Sequence, residues 1–451
     1  MRNFRSWRAV VGLVVAAIAS GWRRASAQQD TTARDSQSLE ARLDQLDQEL
    51  RILKRLRELA LDSAANAPKD KPGAGAGKDG FSLKTADGKF ALRLRGLIQT
   101  DARFFVSDSG NTAVDNFFVR RARVILEGTL WKYLEFRLQP DFGQGQTVLF
   151  DAYSDIKLGP ALAIRVGKFK PPIGLERLQS ASDIVFAERA LATNLVPNRD
   201  IGLQLSGEVA SGVVSYQAGV FNGVPDLGNG DADVHDAKDF AGRLFLQPFR
   251  RGRLQGLGFG VAGSTGIERG TTLAPALPSY RTPGQQVFFR YRSDGTAPNT
   301  TLADGNRRRL VPQAYFYTGP LGLIGEYAFS WQEVRRTTTT ATLEHTSWQI
   351  TGSFFVTGEK ASFKSAAPKH PFDPGSHAVG ALEFAARYSR LSVDDAAFPL
   401  YANPAVSAPK AKAWAVGANW YLARAIKVVV DYERTTFAGG AAVGNRRAEN
   451  L

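Results

Sequence analysis

From about residue 81 onward, apolar and polar side chains alternate along many short segments of the chain. In residues 91–104 one face would carry Leu92, Leu94, Ile98, Ala102 and Phe104, and the opposite face Arg93, Arg95, Gln99, Asp101 and Arg103. Residues 133–141 and 426–433 repeat the pattern. A period of two predicts β-strands with two unlike faces. A soluble β-sandwich would alternate in the same way, so the pattern predicts strands and leaves their architecture open.

The connections between these strands favour one architecture. About fifteen strands are predicted, near residues 90–105, 117–129, 132–142, 148–158, 161–169, 200–209, 212–221, 239–247, 256–263, 309–318, 321–332, 346–357, 378–391, 412–422 and 425–437. Long and short connections alternate: residues 170–199 and 264–308 are long, whereas Ala210–Ser211 and Gly319–Pro320 are turns. One long connection, residues 358–377, breaks the rule. Such alternation is typical of outer-membrane barrels, whose apolar face meets lipid and whose polar face lines a wet lumen.

The end of the chain departs from this pattern. Single-chain bacterial barrels have an even number of strands, so about fifteen strands would require one more. Residues 438–451, AGGAAVGNRRAENL, are rich in Gly, Ala and Asn and predict an outer loop. We therefore expect an all-β transmembrane barrel whose closing strand is missing from the sequence.

The first 80 residues predict three other segments. Arg2, Arg5 and Arg8 precede an apolar run and the small residues Ala25–Ala27, which is the order of a secretory signal peptide over residues 1–27. Residues 28–63 carry leucines at three- and four-residue steps and predict a helix with about two coiled-coil heptads. It is either a single amphipathic helix or a small periplasmic oligomerisation helix. Residues 64–80 predict a linker, which leaves residues 81–451 for the barrel.

Charge narrows the function. The formal net charge is +14 and the chain has no cysteine. The predicted signal segment holds five arginines and no acidic residue, so the remaining chain keeps +9, five less than +14. Basic excess suits nucleic acid, anionic lipid or anionic solutes. Export argues against nucleic acid, and the backbone pairing of a closed barrel replaces disulfides as the source of stability.

The connection over Lys170–Arg199 is too apolar for an exposed loop. Its apolar residues are Ile173, Leu175, Leu178, Ile184, Val185, Phe186, Leu191 and Leu195. That much apolar surface requires burial. Folding back against the inner barrel wall would bury it and narrow the pore, so we predict that Lys170–Arg199 is a constriction loop.

Several motifs resemble those of the phosphate-selective porin O and P family. GKFKPPIGLERLQSASDIVFAERAL (Gly167–Leu191) is similar to that family's constriction loop. Further matches in the same order are FFVRRARVILEG (Phe117–Gly128), GALEFAARYSRL (Gly380–Leu391) and NWYLARAIKVVVDYERT (Asn419–Thr435). The resemblance covers most of the chain from Phe81 on. It implies a trimeric antiparallel porin of the sixteen-stranded type with its third loop folded inside.

The resemblance also implies which residues line the pore. Arg177 and Arg189 take the place of loop bases that face the permeating anion, and Arg121 and Arg123 take the place of wall arginines. Alternation independently puts Arg121 and Arg123 on the lumen face, together with Arg93, Arg95, Arg103, Arg137 and Arg165, and turns Arg120 outward. Lys170 completes the basic candidates. Arginine stays charged and offers a fork that fits phosphate oxygens, and several weak sites in a row permit both entry and exit. Neighbouring acidic residues such as Glu127 and Asp141 would pair with some of these bases.

The expected function is thus passive diffusion of anions such as phosphate through a water-filled channel, without catalysis, cofactor or metal. The expected partners are small anions, outer-membrane lipid and two further copies in a homotrimer, and not nucleic acid. A porin for other solutes and a structural envelope tether with a plugged lumen remain alternatives. An enzyme is disfavoured because His235, His345, His370 and His377 fall in or beside loops without a nucleophile motif. A metal site at His370, Asp373 and His377 is also disfavoured, since that Pro-rich stretch is typical of a connector.

Overall fold

The computed structural model describes residues 44–59, 72–77, 80–106, 113–231, 233 and 235–451. The predicted signal segment lies outside these residues. Helix α1 covers residues 44–59 of the predicted helical segment. Its leucines are exposed, with Leu46 at 57%, Leu50 at 53% and Leu53 at 64%. No helix among the described residues has both the length and the apolar character needed to cross a membrane.

From Pro72 onward the protein is built from β-strands. The first eleven are β1 (Gly73–Gly77), β2 (Gly80–Lys84), β3 (Ala91–Arg103), β4 (Asn116–Leu130), β5 (Leu134–Asp141), β6 (Val148–Gly159), β7 (Leu162–Phe169), β8 (Asp200–Val209), β9 (Val214–Phe221), β10 (Asp239–Leu246) and β11 (Leu257–Arg269). The others are β12 (Ser279–Arg281), β13 (Val287–Arg290), β14 (Leu302–Thr318), β15 (Leu321–Arg336), β16 (Thr339–Phe355), β17 (Ala381–Ser392), β18 (Lys410–Ala423), β19 (Ile426–Ala438) and β20 (Ala448–Asn450). Among the described residues of this part, α2 (Leu175–Leu178) is the only α-helical turn, and short 3₁₀ turns cover Gly143–Gly145, Leu191–Leu195, Ala210–Gly212 and Asp395–Ala397.

Eighteen of these strands form one antiparallel sheet in which neighbours in sequence are neighbours in space. Strand β11 pairs with β14, because the hairpin β12–β13 between them forms a separate two-stranded sheet. The fifteen predicted strands are confirmed as β3–β11 and β14–β19. Three strands run clearly longer than predicted. Strand β11 ends at Arg269, β14 begins at Leu302 and β16 begins at Thr339, so the chain between β15 and β16 is a tight turn between Arg336 and Thr339.

Three short strands were not predicted. Strands β1 and β2 pair with each other and extend the sheet beyond β3, so part of the predicted linker is a hairpin. Strand β20 lies in residues that were expected to form only a loop. It pairs with β19, with Asn450 opposite Arg434 and Ala448 opposite Thr436. The amide of Val106, just after β3, donates to the carbonyl of Asn450 over 3.1 Å. The expectation of a bare outer loop at residues 438–451 is therefore wrong.

The two faces of the sheet differ as the alternation predicts. One face exposes apolar side chains, including Ile98 at 80%, Val430 at 69% and Phe240 at 60%. The polar face is covered by folded loops, and a cluster of buried apolar residues lies beneath them, including Ile173, Leu191, Tyr280, Phe288 and Val393. The apolar core of this protein thus lies between loops and the inner wall, while the outer face carries an apolar surface suited to lipid.

Candidate functional site

The segment Lys170–Arg199 lies against the polar face of the sheet. The amides of Leu175 and Glu176 donate to the Glu326 carboxylate on β15, over 2.6 and 3.2 Å. The amide of Ala187 donates over 2.9 Å to Asp431 on β19. Because the same segment also contacts β3 and β4 through Glu188, the sheet curves around it. The predicted inward folding of this loop is confirmed.

Arg177 and Arg189 bond to the loop itself, whereas Arg199 bonds to Asp151 on β6. Arg177 is 7% exposed and donates to the Thr193 carbonyl over 2.8 Å. Arg189 is half-buried and donates to the carbonyls of Gln179 and Glu176, over 2.8 and 3.2 Å. The expectation that Arg177 is exposed to the pore is therefore wrong. A compact loop without a regular ladder leaves carbonyl groups unpaired, and these guanidinium groups satisfy them.

Lys170 completes a cationic group inside the loop. Its Nζ lies 2.6 Å from the Gln179 carbonyl. Within the described residues, no carboxylate forms an ion pair with Lys170, Arg177 or Arg189, which bond to carbonyl oxygens instead. Burial, reinforced by the positive charges of Arg199 and Arg189, lowers the pKa of Lys170 well below its ordinary value. The loop thus concentrates positive charge, which nearby carboxylates such as Asp151 and Glu176 partly offset without forming an ion pair with these three bases.

The wall residues Arg93, Arg95 and Arg137 meet at the end of the sheet that carries the short turns. With Lys84 they line a cavity of 330 Å³. Arg95 and Arg137 share one carboxylate, Glu127, over 2.6 and 2.9 Å. Arg93 is exposed and forms no ion pair with any residue that the structure describes. The cavity therefore combines paired and unpaired bases.

Nearer the long loops, Arg121 and Arg123 also face inward, as predicted. Arg123 donates to Asp141 over 2.7 Å, and Arg121 donates to Glu188 over 3.2 Å. Arg120, expected to face outward, faces inward as well. The reason is a β-bulge: Gln99 pairs with Arg121 but Thr100 pairs with Val119, so Arg120 is an extra residue that shifts the alternation.

The Glu188 carboxylate forms ion pairs with three arginines of the wall. Its carboxylate accepts from Arg103 over 2.8 Å, from Arg121 over 3.2 Å, and from both Arg120 Nε and, over 3.2 Å, Arg120 NH2. On the far side of the loop its carbonyl accepts from Arg387 of β17 over 2.8 Å. The sequence analysis missed this role because Glu188 lies in a loop, where alternation does not report direction. Its place beside Arg189 in the loop motif was the only available signal.

Together these residues form a basic track along the inner wall, defined here as Arg93, Arg95, Arg103, Arg120, Arg121, Arg123 and Arg137. Carboxylates pair with the track locally, as expected. Glu127 pairs with two of its arginines and Glu188 with three, whereas Asp101, Asp141 and Asp151 each pair with one. At the long-loop end, Arg103 also lines a cavity of 680 Å³ with Phe105, Phe118 and Gln144. The track thus runs between two cavities and carries a positive excess.

The hairpin β12–β13 lies across the constriction loop. The amide of Arg281 donates to Asn194 over 2.9 Å, and Thr282 donates to Glu449 over 2.7 Å. Aromatic residues of this hairpin surround His345, which lies in β16 and is 1% exposed. Its Nε2 lies 2.6 Å from the Tyr291 hydroxyl. The expectation that all four histidines lie in or beside loops is wrong for His345, because β16 begins seven residues earlier than predicted.

An antiparallel sheet with an apolar outer face, an inward loop and a basic inner track defines a porin, a channel protein of the outer membrane. A sequence profile of the phosphate-selective porin O and P family matches residues 90–437. The chain belongs to this family. It is 26% identical to Porin O of Pseudomonas aeruginosa over 399 residues, which cover 79% of this chain and 85% of that protein.

Structural similarity agrees with the sequence. The outer membrane channel DcaP of Acinetobacter baumannii has a similar fold, with a TM-score of 0.50 and 10% sequence identity, over 80% of this chain and 96% of that one. Family and fold together identify an outer-membrane anion channel rather than an enzyme.

Proposed function

We propose that small anions, phosphate among them, diffuse passively along the basic track past the constriction loop Lys170–Arg199. The observation that carries the proposal is the excess of bases over carboxylates on the track: Glu188 faces three arginines, Glu127 faces two, and Arg93 forms no ion pair among the described residues, although Asp101 also pairs with Arg103 and Asp151 with Arg137. A guanidinium group that lacks a carboxylate of its own offers donors to a passing anion. Inside a pore, such donors replace part of the water that the anion gives up.

The proposal is tested by the reversal potential of single channels in a potassium chloride gradient, followed by replacement of chloride with phosphate. An anion-selective potential and a measurable phosphate current are expected. Arg93→Gln should lower the anion permeability ratio roughly two- to fivefold, because one unit charge at about 4 Å in water contributes about 1 kcal/mol. A closed pore, as a structural tether would have, contradicts the proposal.

The matched control for Arg93 is Arg308→Gln. Arg308 lies on β14, where Val311 and Arg309 face inward and are buried while Arg308 is exposed on the outer face. It carries the same charge but stands on the lipid side of the wall. Its loss should leave the reversal potential unchanged, and an equal effect of both substitutions would mean that charge acts only at long range.

The assembly is proposed to be a homotrimer with lipid around its apolar outer face. Residues 1–27 would direct export, and α1 would join three copies through its leucines on the periplasmic side. The support is the exposure of Leu46, Leu50 and Leu53 on one stripe, since an amphipathic helix ordinarily buries its apolar face.

A further inference from the structure

The three arginines around Glu188 form a site suited to an oxyanion. The protein fills this site with its own carboxylate, that of Glu188. Arg103, Arg120 and Arg121 come from two adjacent strands, β3 and β4, and direct their donors at one point. The bulge at Arg120 is what allows two consecutive residues to do so. A fork of guanidinium groups around one point is the arrangement that binds phosphate and carboxylate oxygens most strongly.

The group at that point belongs to the loop and not to the wall. Glu188 sits on the loop, and its side chain is 7% exposed. Arg103 and Arg121 are buried with the carboxylate, and Arg120 is half-buried, so these arginines would be costly to leave without an anion. Asp101 also pairs with Arg103, over 2.9 Å. Burial alone would raise the pKa of Glu188, but Arg121 and Arg120 hold it at about 2, so the carboxylate is charged at neutral pH.

The site is within reach of a solute. Arg103 bonds to Glu188 and also lines the 680 Å³ cavity at the long-loop end. Arg123, two residues beyond Arg121, continues the track toward the 330 Å³ cavity. An anion that enters from either cavity therefore meets this cluster on its way.

Resting on the proposed function, we infer that the Glu188 carboxylate is a tethered competitor for permeating oxyanions: it occupies the site of Arg103, Arg120 and Arg121 when the pore is empty and yields it to a passing anion. A competitor tethered to the same chain acts at a high effective concentration. It lowers the apparent affinity by the fraction of time during which the site is free. The result is weak binding and rapid release, as passage through a pore requires.

The test uses the full-length channel in planar bilayers, with chloride as the current carrier and inorganic phosphate as the blocking ion. Glu188→Gln keeps the size and removes the charge, so it should lower the phosphate concentration that blocks half of the chloride current by about tenfold, if the wild-type site is free about a tenth of the time. Asp183→Asn is the matched control. It neutralises a carboxylate of the same loop whose bond, to the Ser365 amide over 3.1 Å, an amide oxygen can also accept. It should leave the half-blocking concentration unchanged.

Two results overturn the inference. One is a half-blocking concentration in Glu188→Gln that is within a factor of about two of wild type. The other is a larger conductance with reduced anion preference, because Glu188 would then only hold the loop in place. If Glu188→Gln does not fold, Glu188→Asp takes its place: it keeps the charge but draws the carboxylate back, and should lower the half-blocking concentration by a smaller factor. An unchanged value in that variant also overturns the inference. Failure of the proposed function is recognised separately, by a wild-type reversal potential without anion preference.

Discussion

At the scale of single residues, the arginines of the wall and the lysine of the loop differ in how their charge responds to pH. The guanidinium groups of the basic track stay charged across the accessible pH range. Lys170 is the exception, because burial and the neighbouring Arg199 and Arg189 lower its pKa well below the ordinary value. The channel therefore contains a lysine that loses its charge at a lower pH than an ordinary lysine would.

The resulting prediction concerns pH. Below the lowered pKa, Lys170 is protonated and adds to the anion preference; as pH rises through that pKa, the charge and its contribution are lost. Reversal potentials measured between about pH 6 and 10 should show anion preference falling at a lower pH than an ordinary lysine would give. Lys170→Arg should remove this step. If the fall in anion preference persists in Lys170→Arg, it comes from the titration of another group.

The sequence predicted the inward direction of Arg121 and Arg123 because a strand's period fixes which face a side chain takes. It failed for Arg120, since a one-residue bulge reverses the period and leaves no mark in the alternation. It also failed for Arg177, whose bonding partner at Thr193 is set by how the loop folds. The direction of a side chain on a strand follows from its immediate neighbours in sequence. The bonding partner of a loop residue depends on how the whole loop folds.

At the scale of elements, some strands extend beyond the residues in which outward apolar and inward polar side chains alternate. The outer face of β16 begins with Thr340, Thr342 and Glu344, which are polar, while Leu343 on the inner face is buried. Here the strand rises past the apolar band, and its inner face packs under the loops. The hydrogen-bonded ladder continues although the alternation reverses, which explains why the sequence predicted both β14 and β16 too short.

The bulge in β4 allows a test at this scale. Deleting Arg120 should restore regular pairing and leave Phe117 and Val119 on the outer face, because Gln99 already pairs with Arg121 and Thr100 with Val119. The barrel should still fold and lose about 1.5 to 3 kcal/mol of stability, the size expected for the loss of a hydrogen bond to a charged group. The temperature at which the barrel unfolds on an electrophoresis gel would measure the loss.

Substitution without deletion is the control for that experiment. Arg120→Ala keeps the extra residue and the register, so it should lose the contact to Glu188 while the neighbouring strand faces stay as they are. Its unfolding temperature should fall by about as much as that of the deletion variant. A much larger loss in the deletion variant would show that the bulge itself, rather than the guanidinium group, stabilises the strand.

At the scale of the whole molecule, the N-terminal helix predicts how copies associate. Replacing Leu46, Leu50 and Leu53 by serine removes the exposed stripe of α1. We expect the proposed trimer, once solubilised in detergent, to dissociate at a lower temperature, because heptad leucines stabilise helix association. Single-channel conductance per pore should not change. Light scattering coupled to chromatography measures the mass, and an unaltered trimer would assign association to the barrel wall.

The inward loop also affects the order in which the parts of the protein fold. The bonds of Leu175 to Glu326 and of Ala187 to Asp431 join residues 151 and 244 positions apart. Contacts between such distant positions form slowly, because the intervening chain must first be brought together. Strand-to-strand pairing is local by comparison, since successive strands are joined through the chain. We therefore expect the wall to assemble before the loop is fixed against it, so that a newly inserted barrel passes through a stage in which it conducts ions without discriminating between them.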